Sequence, residues 1–508
     1  MNRSERRAFI RNGLNATAGL LLSASLDPAK AFAGVFRSVN GDFNIVKYGA
    51  VGDGKTMNTG SIQKAINACA SKGGGRVVVP AGTFLSGGFA LKSNVDLHLE
   101  KDAVILGSPY MKDYNPKTLL APARYSDYLR YALVFAQGEK NISVSGTGTL
   151  NGNGQLGGKL GQFEEKGSAA AKRPCLLWFD ECENILVRDI TYINSGMWTE
   201  TYSKCKNVHV DHITVKENYF FNADGCNMLD CDGFIIENCD INAQDDAICL
   251  KGYTKEGVRN GIIRNNKVRS ICNGIKMGTD SSGGFRDIVI ENNEVWQTGI
   301  SGIALEMTDG GIMDNVVVRN IKMNVVSTPI FIMLSNRNRK LSGDLTVPIG
   351  QVKNITIQDI DAIVDKYETY HELERKHFDL FPFASSITGF PGYYVENVSI
   401  HNVKIEIRGG FPEGTAEDTL REVPEAGRKY PENRMFGTLP AYAFYIRHAR
   451  GLHMKNVEVS MSQKDGRPAF MLDDTHDSRF EDMTVKSATP SPAFAVKPNC
   501  SRIMTDLA

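Results

Sequence analysis

The sequence predicts an all-β fold: a single-stranded, right-handed parallel β-helix with an N-terminal helical cap and loop insertions over one face. Three observations lead there. A turn-type residue followed by alternating apolar residues recurs through most of the 508-residue chain. Each unit holds about three short β-type runs separated by Asn, Asp and Gly. No unit contains a helix-length amphipathic stretch. A unit of about 25 residues cannot bury its own apolar face, so neighbouring units must stack.

The recurring phrase begins at Asn184, Asn207, Gly233, Gly261, Asp287 and Asn315, with spacings of 23, 26, 28, 26 and 28, and continues at Asn354 and Asn397. A second strand set aligns by parity: Cys226-Asn227-Met228, Ile248-Cys249-Leu250, Ile275-Lys276-Met277, Ile303-Ala304-Leu305 and Ile330-Phe331-Ile332. Side chains alternate along a strand. The outer members of each triplet therefore form inward apolar columns, while Asn227, Cys249, Lys276, Ala304 and Phe331 form one outward column. Asn238, Asn266, Asn292 and Asn320 are expected to stack their amides along one turn. Cys182, Cys205 and Cys231 are expected to stack as buried thiols, because parallel Cβ vectors on adjacent rungs make bridging awkward.

Both ends depart from the repeat. Residues 1–33 read as a twin-arginine export signal: Arg6-Arg7-Ala8-Phe9-Ile10-Arg11, an apolar stretch around Leu20-Leu21-Leu22, and the small-x-small site Ala31-Phe32-Ala33. The expected location is therefore periplasmic or secreted, with a β-helix domain over 34–508. Within it, 34–105 forms the cap and first strands, with a helix from Ser61 to Ala70 and strands at Arg76 to Val79 and Val95 to Leu99. The helix covers strand edges that would otherwise be unpaired. Residues 335–350, 365–395 and 409–445 break the period and are expected as loops on one face, the last covering a cleft. Equal numbers of basic and acidic residues, 58 each, give no reason to expect nucleic acid or an acidic membrane surface. A monomer is expected, without membrane attachment once the signal is removed.

The chemistry-bearing residues lie just ahead of two aligned triplets, in Asn222-Ala223-Asp224-Gly225 and Gln244-Asp245-Asp246-Ala247. Asp224 and Asp246, 22 residues apart, occupy the same place on successive coils, roughly 5 Å apart. Strict alternation would turn both inward, where unpaired carboxylates are prohibitive, so bends are expected at Gly225 and Ala247. Three close carboxylates repel unless they bind a cation or do chemistry. A solvated acidic turn, a calcium site and an acid–base group all stand open on the residues alone.

The chain resembles glycoside hydrolase family 28, the polygalacturonase-like pectin hydrolases, from about Phe43 to at least Met333. The matching stretches are Tyr48 to Gly54, Arg173-Pro174, Asn194-Ser195 with Trp198-Thr199, Asn222 to Gly225, and Asp245-Asp246. The resemblance implies that Asp245 protonates the leaving oxygen while Asp224 and Asp246 hold and activate water, inverting the anomeric centre. It implies no cofactor and no metal. The family's Gly-His-Gly aligns with Cys272-Asn273-Gly274, and its uronate-gripping Arg-Ile-Lys with Ala304-Leu305-Glu306. Lys251 and Lys276 stand near enough to restore positive charge.

Candidate substrate-binding residues are thus Asn222, Lys251, Asn273, Lys276, Glu306, Arg447 and His448. Trp198 and Trp296 are candidate sugar-stacking rings. The expected activity is hydrolysis of a pectin or rhamnogalacturonan-like polysaccharide. A calcium-dependent lyase on the same architecture and a non-catalytic carbohydrate-binding solenoid are the alternatives.

Overall fold

The computed structural model describes residues 42–114, 131–163, 173–217, 219–338, 348–366, 383–409, 414–425 and 427–506. The export-signal reading of residues 1–33 lies outside them. Short strands stack coil upon coil, and the ladders between successive coils are parallel. This is the parallel β-helix that the repeat spacing called for.

The inward columns carry the stability. Cys226, Ile248, Ile275, Ile303 and Ile330 are register partners on successive rungs, as are Met228, Leu250, Met277, Leu305 and Ile332. All are at most 1% exposed. Full burial of each such side chain is worth about 1.5–3 kcal/mol. The helix Thr59–Ser71 closes one end, one or two residues longer at each end than expected, with Ile62, Ala65, Ile66 and Cys69 turned into the core. Strands Gly75–Val79 and Val95–Leu99 follow it.

The turns explain the Asn-rich spacing, and two positions are corrected by one residue. The turn residue of the fourth unit is Asn260, with φ 57°, and not Gly261. Gly261 instead pairs with Phe234, whose ring would lie 2.1 Å from any Cβ there. The glycine is needed for space. Likewise the outer amide ladder runs through Asn238, Asn265, Asn292 and Asn320, all with φ between 52° and 58°. Asn266 belongs to a second, buried ladder, where its amide pairs with Asn293 at 3.0 Å. Asn tolerates the left-handed conformation that these corners impose. Cys182, Cys205 and Cys231 stack on successive rungs as free, buried thiols.

The coil is interrupted after Leu334, after Val364 and between Ile407 and Phe444. From the last interruption, Val423, Phe436, Leu439 and Ala441 fold back onto Ala304, Phe331, Met333, Tyr445 and Met471. These five are outward-facing strand residues, so the loop covers the outer face of the later rungs.

Candidate active site

The stack of Glu200–Ser203, Cys226–Leu229, Ile248–Gly252, Asn273–Ser281 and Ser301–Met307 positions the carboxylates. Cys226 pairs with Ile248, and Ile248 with Ile275. Asp224, Asp246 and Asn273 therefore occupy one column on three successive coils. The chain bends at Gly225 and Ala247, as the burial argument required. A Cβ on Gly225 would lie 2.5 Å from the Ala247 carbonyl oxygen. The ladder survives the bend: Gly225 N–H donates to Asp246 O at 3.0 Å, and Ala247 N–H to Asn273 O at 2.9 Å.

Each carboxylate has a distinct environment. Asp246 is 3% exposed, accepts a 2.7 Å hydrogen bond from Asn273 Nδ2, and lies 3.3 Å from Lys276 Nζ. Burial disfavours its charge, but Lys276, Lys251 and the Asn273 amide together outweigh burial and hold its pKa below the usual carboxylate range. Asp224 is equally buried, and its nearest cation, Lys251, is 3.7 Å away. Burial first, then the charges of Asp245 and Asp246, push its pKa well up. Asp245 is the partly exposed member. It accepts a 3.3 Å hydrogen bond from Asn222 Nδ2, and Asn222 is braced by Arg173, which donates to its Oδ1 at 3.2 Å and to Phe221 O at 2.8 Å.

One proton on these three carboxyls leaves two negative charges facing Lys251 and Lys276, a neutral cluster. Asp224, whose carboxyl burial pushes well up, is the one suited to keep that proton. Asp224, Asp246 and Cys249 present ligand-type atoms within 4.8 Å of one another. The two ammonium groups already serve these carboxylates as cations, and a divalent ion there would meet their repulsion. Lys251 Nζ also donates to Cys249 Sγ at 3.1 Å.

Lys276 extends the cluster to the next coil. Its ammonium lies 3.8 Å from Glu306 Oε2, so it sits between two carboxyls. Glu306 is 1% exposed, and burial raises its pKa to about 8 against the opposing pull of Lys276. The sequence reading missed Tyr430. Carried in by the late loop, it accepts a 2.8 Å hydrogen bond from Thr279 Oγ1 and places its ring 5.4 Å from Lys276 Nζ. Arg337 lies against the same ring at 5.9 Å and pairs with Asp309 and Asp280. Tyr430 is 51% exposed, so an aromatic surface stands open beside the carboxylates. No local motif flags this residue, which lies 184 positions from Asp246.

The structure therefore brings Asn222, Asp224, Asp245, Asp246, Lys251, Asn273, Lys276 and Glu306 together. It does not bring Arg447 and His448 to them. Arg447 shares the Glu306 column, but three rungs on, about 14 Å at the usual strand spacing. Its guanidinium pairs with Glu425 and donates to Val423 O at 2.7 Å. His448 is held by Asp474 at 2.6 Å and Glu425 at 3.4 Å. Both anchor the loop. Trp198 is buried and stacked on Trp178, with the Lys251 ammonium 5.1 Å from its ring, so it is a packing residue. Trp296 lies on a different strand stack, against Lys267 and Arg269.

The family model for glycosyl hydrolases family 28 matches residues 69–377. A probable polygalacturonase of Vitis vinifera is 30% identical over 302 residues, covering 56% of this chain and 61% of the relative. An exo-poly-alpha-D-galacturonosidase of Dickeya chrysanthemi is 28% identical over 379 residues, covering 62% of each. The chain thus spans about three fifths of the length of these curated relatives. The family 28 exopolygalacturonase structure from Yersinia enterocolitica superposes with a TM-score of 0.59 at 20% identity, covering 91% of this chain and 78% of that one. At that identity the likeness concerns the fold.

Proposed function

The chain belongs to glycosyl hydrolases family 28, and from that premise we propose that it is an exported, inverting glycoside hydrolase acting on pectin or a rhamnogalacturonan-like polysaccharide. The observation that carries this reading is the convergence of Asp224, Asp245 and Asp246 on one outward face, with Lys251 and Lys276 beside them. Asp246, held ionised, is suited to activating water. Asp245, partly exposed and steered by Asn222, is placed to act as the acid at the leaving oxygen, while Asp224, pushed well up by burial, is less suited than Asp246 to the base role expected of it. A water held between base and sugar gives inversion. The two lysines supply the local positive charge, and no metal is called for.

The covered outer face adds a mode of action. Beyond the Ala304 rung that face is buried under the loop, so a polysaccharide cannot run along it in both directions. This favours attack from a chain end. The name of the Dickeya relative, an exo-poly-alpha-D-galacturonosidase, agrees with it.

Asp245→Asn and Asp224→Asn are each expected to lower kcat by about 10²-fold or more, measured by release of reducing ends from a panel of pectic oligosaccharides. Wild-type turnover by either variant defeats the assignment. NMR of the first-formed product should show an inverted anomer, and activity should survive excess EDTA.

A further inference from the structure

We propose that His209, Asp211 and Glu237 form a binding site for a first-row divalent cation of the zinc kind, on a strand stack separate from the one that carries the catalytic candidates. The inference stands independently of the hydrolase reading.

The site lies on the stack of Glu183–Arg188, Lys206–Asp211, Asp232–Glu237, Val258–Arg264 and Phe285–Glu291. Val208 and Val210 are buried in the core, so His209 and Asp211 share the outward face of their strand. The last residues of these strands build a charged column. Arg188, Asp211, Glu237, Arg264, Glu291 and Arg319 are register partners in turn. Their signs alternate except at one step, where Asp211 and Glu237 stand side by side on neighbouring strands, roughly 5 Å apart. Like charges so placed repel. The flanking arginines cover one of the two. Arg264 Nε donates to Glu237 Oε2 at 2.6 Å, whereas Arg188 turns away to Asp189 at 2.9 Å.

His209 is set at that fault in the column. Its Nε2 lies 2.8 Å from Glu237 Oε1, and the three residues present ligand-type atoms within 4.8 Å of one another. Zinc bonds imidazole nitrogen and carboxylate oxygen at about 2.0–2.2 Å, so a small closing movement brings all three onto one ion. A donor set with one nitrogen and two oxygens suits zinc and its neighbours better than calcium or magnesium, which favour oxygen alone. The outer oxygens already have partners of the kind that fix ligating carboxylates. Arg264 holds Glu237 Oε2, and Asn238 Nδ2 donates to Asp211 Oδ1 at 2.8 Å, with His212 Nδ1 2.6 Å from the same oxygen. His209 and Glu237 are each 8% exposed and Asp211 is half-buried, so solvent can reach the ion and complete its coordination. The group of Asp224, Asp246 and Cys249 differs, because there two ammonium ions take the place a metal would need.

The test is calorimetric titration of the metal-stripped, folded full chain with zinc chloride, alongside cobalt chloride followed by visible absorption. Wild type should bind zinc with a stoichiometry of one per chain, and cobalt should develop the intense d–d bands of a low-coordinate site. His209→Ala and Asp211→Asn each remove one ligand from a solvent-facing strand position, and each should weaken binding by about tenfold or more. Calcium and magnesium at the same concentrations should give no comparable heat. Absence of zinc binding by wild type overturns the proposal, and leaves a proton on His209 as the charge that covers the fault. Undiminished binding by both variants also overturns it, because the metal then sits elsewhere on the chain. A calcium affinity equal to that for zinc overturns the role given to the imidazole. None of these readouts involves turnover, so their failure is distinct from failure of the hydrolase reading.

Discussion

Glu200 shows how one side chain can tax the whole fold. It pairs in register with Cys226 and points into the core, where it is fully buried and accepts a hydrogen bond from the Tyr202 hydroxyl. Burial raises its pKa to about 8, and burial raises Glu217 and Glu306 to about 8 as well. In the unfolded chain such carboxyls titrate near 4.3. As pH rises from about 4 to 8 the unfolded state gives up these protons and the folded state keeps them, so folding stability falls through that window. Glu200→Gln removes one ionisable group and should flatten the decline. Its melting temperature should exceed that of wild type at pH 8, by a margin that shrinks towards pH 4.5. Equal margins at both pH values would mean that Glu200 is already ionised in the fold. The carboxylate cluster was legible because Asp224 and Asp246 sit one coil apart ahead of aligned triplets. Glu200 was not, because an acidic residue in a β run reveals its facing only once register is known.

At the scale of elements, periodicity located the coils but missed by one residue where two signals compete. Glycine reads as a turn residue, yet Gly261 is a space-making strand residue and Asn260 holds the corner. The breaks in the repeat marked the loops, though not their contacts, since those depend on side chains far apart in sequence. The late loop is fastened at several points. Asn433 Nδ2 donates to Ile300 O at 2.7 Å and to Thr328 Oγ1 at 2.8 Å. Arg467 pairs with Asp465 at 2.6 Å and donates to Leu439 O at 2.9 Å. Phe436 lies 6.4 Å from the Tyr445 ring. Phe436→Ala should weaken this docking by roughly 3 kcal/mol. Limited proteolysis should then cut within 414–443 faster than in wild type while the coils stay intact. On the proposed chain-end mode, the same variant should release longer products from pectic polymers. Unchanged cleavage rates and products would mean that the loop is held by its remaining contacts and that Phe436 contributes little.

Across the whole molecule, the cysteines bear on how the chain would reach its place of work. None of the ten is in a disulfide, and nine of them are buried. Stacked rungs present Cys182, Cys205 and Cys231 with parallel Cβ vectors, a geometry unsuited to S–S bonds. The fold thus owes nothing to oxidation, and a β-helix of this kind can complete its packing in a reducing cytoplasm. That suits the twin-arginine reading of residues 1–33, because such a route carries proteins already folded, with their thiols enclosed. Arg6→Lys combined with Arg7→Lys should therefore leave folded, active protein in the cytoplasmic fraction and little in the periplasm. Wild-type protein recovered after export should titrate ten thiols under denaturing conditions, less any lost with a cleaved leader, which contains none. Unchanged export of the double variant would reject the twin-arginine route. Fewer than ten titratable thiols in the exported protein, lost two at a time to disulfides, would show instead that oxidation outside the cytoplasm reaches residues that the fold encloses, and that the chain crossed the membrane before its coils had closed.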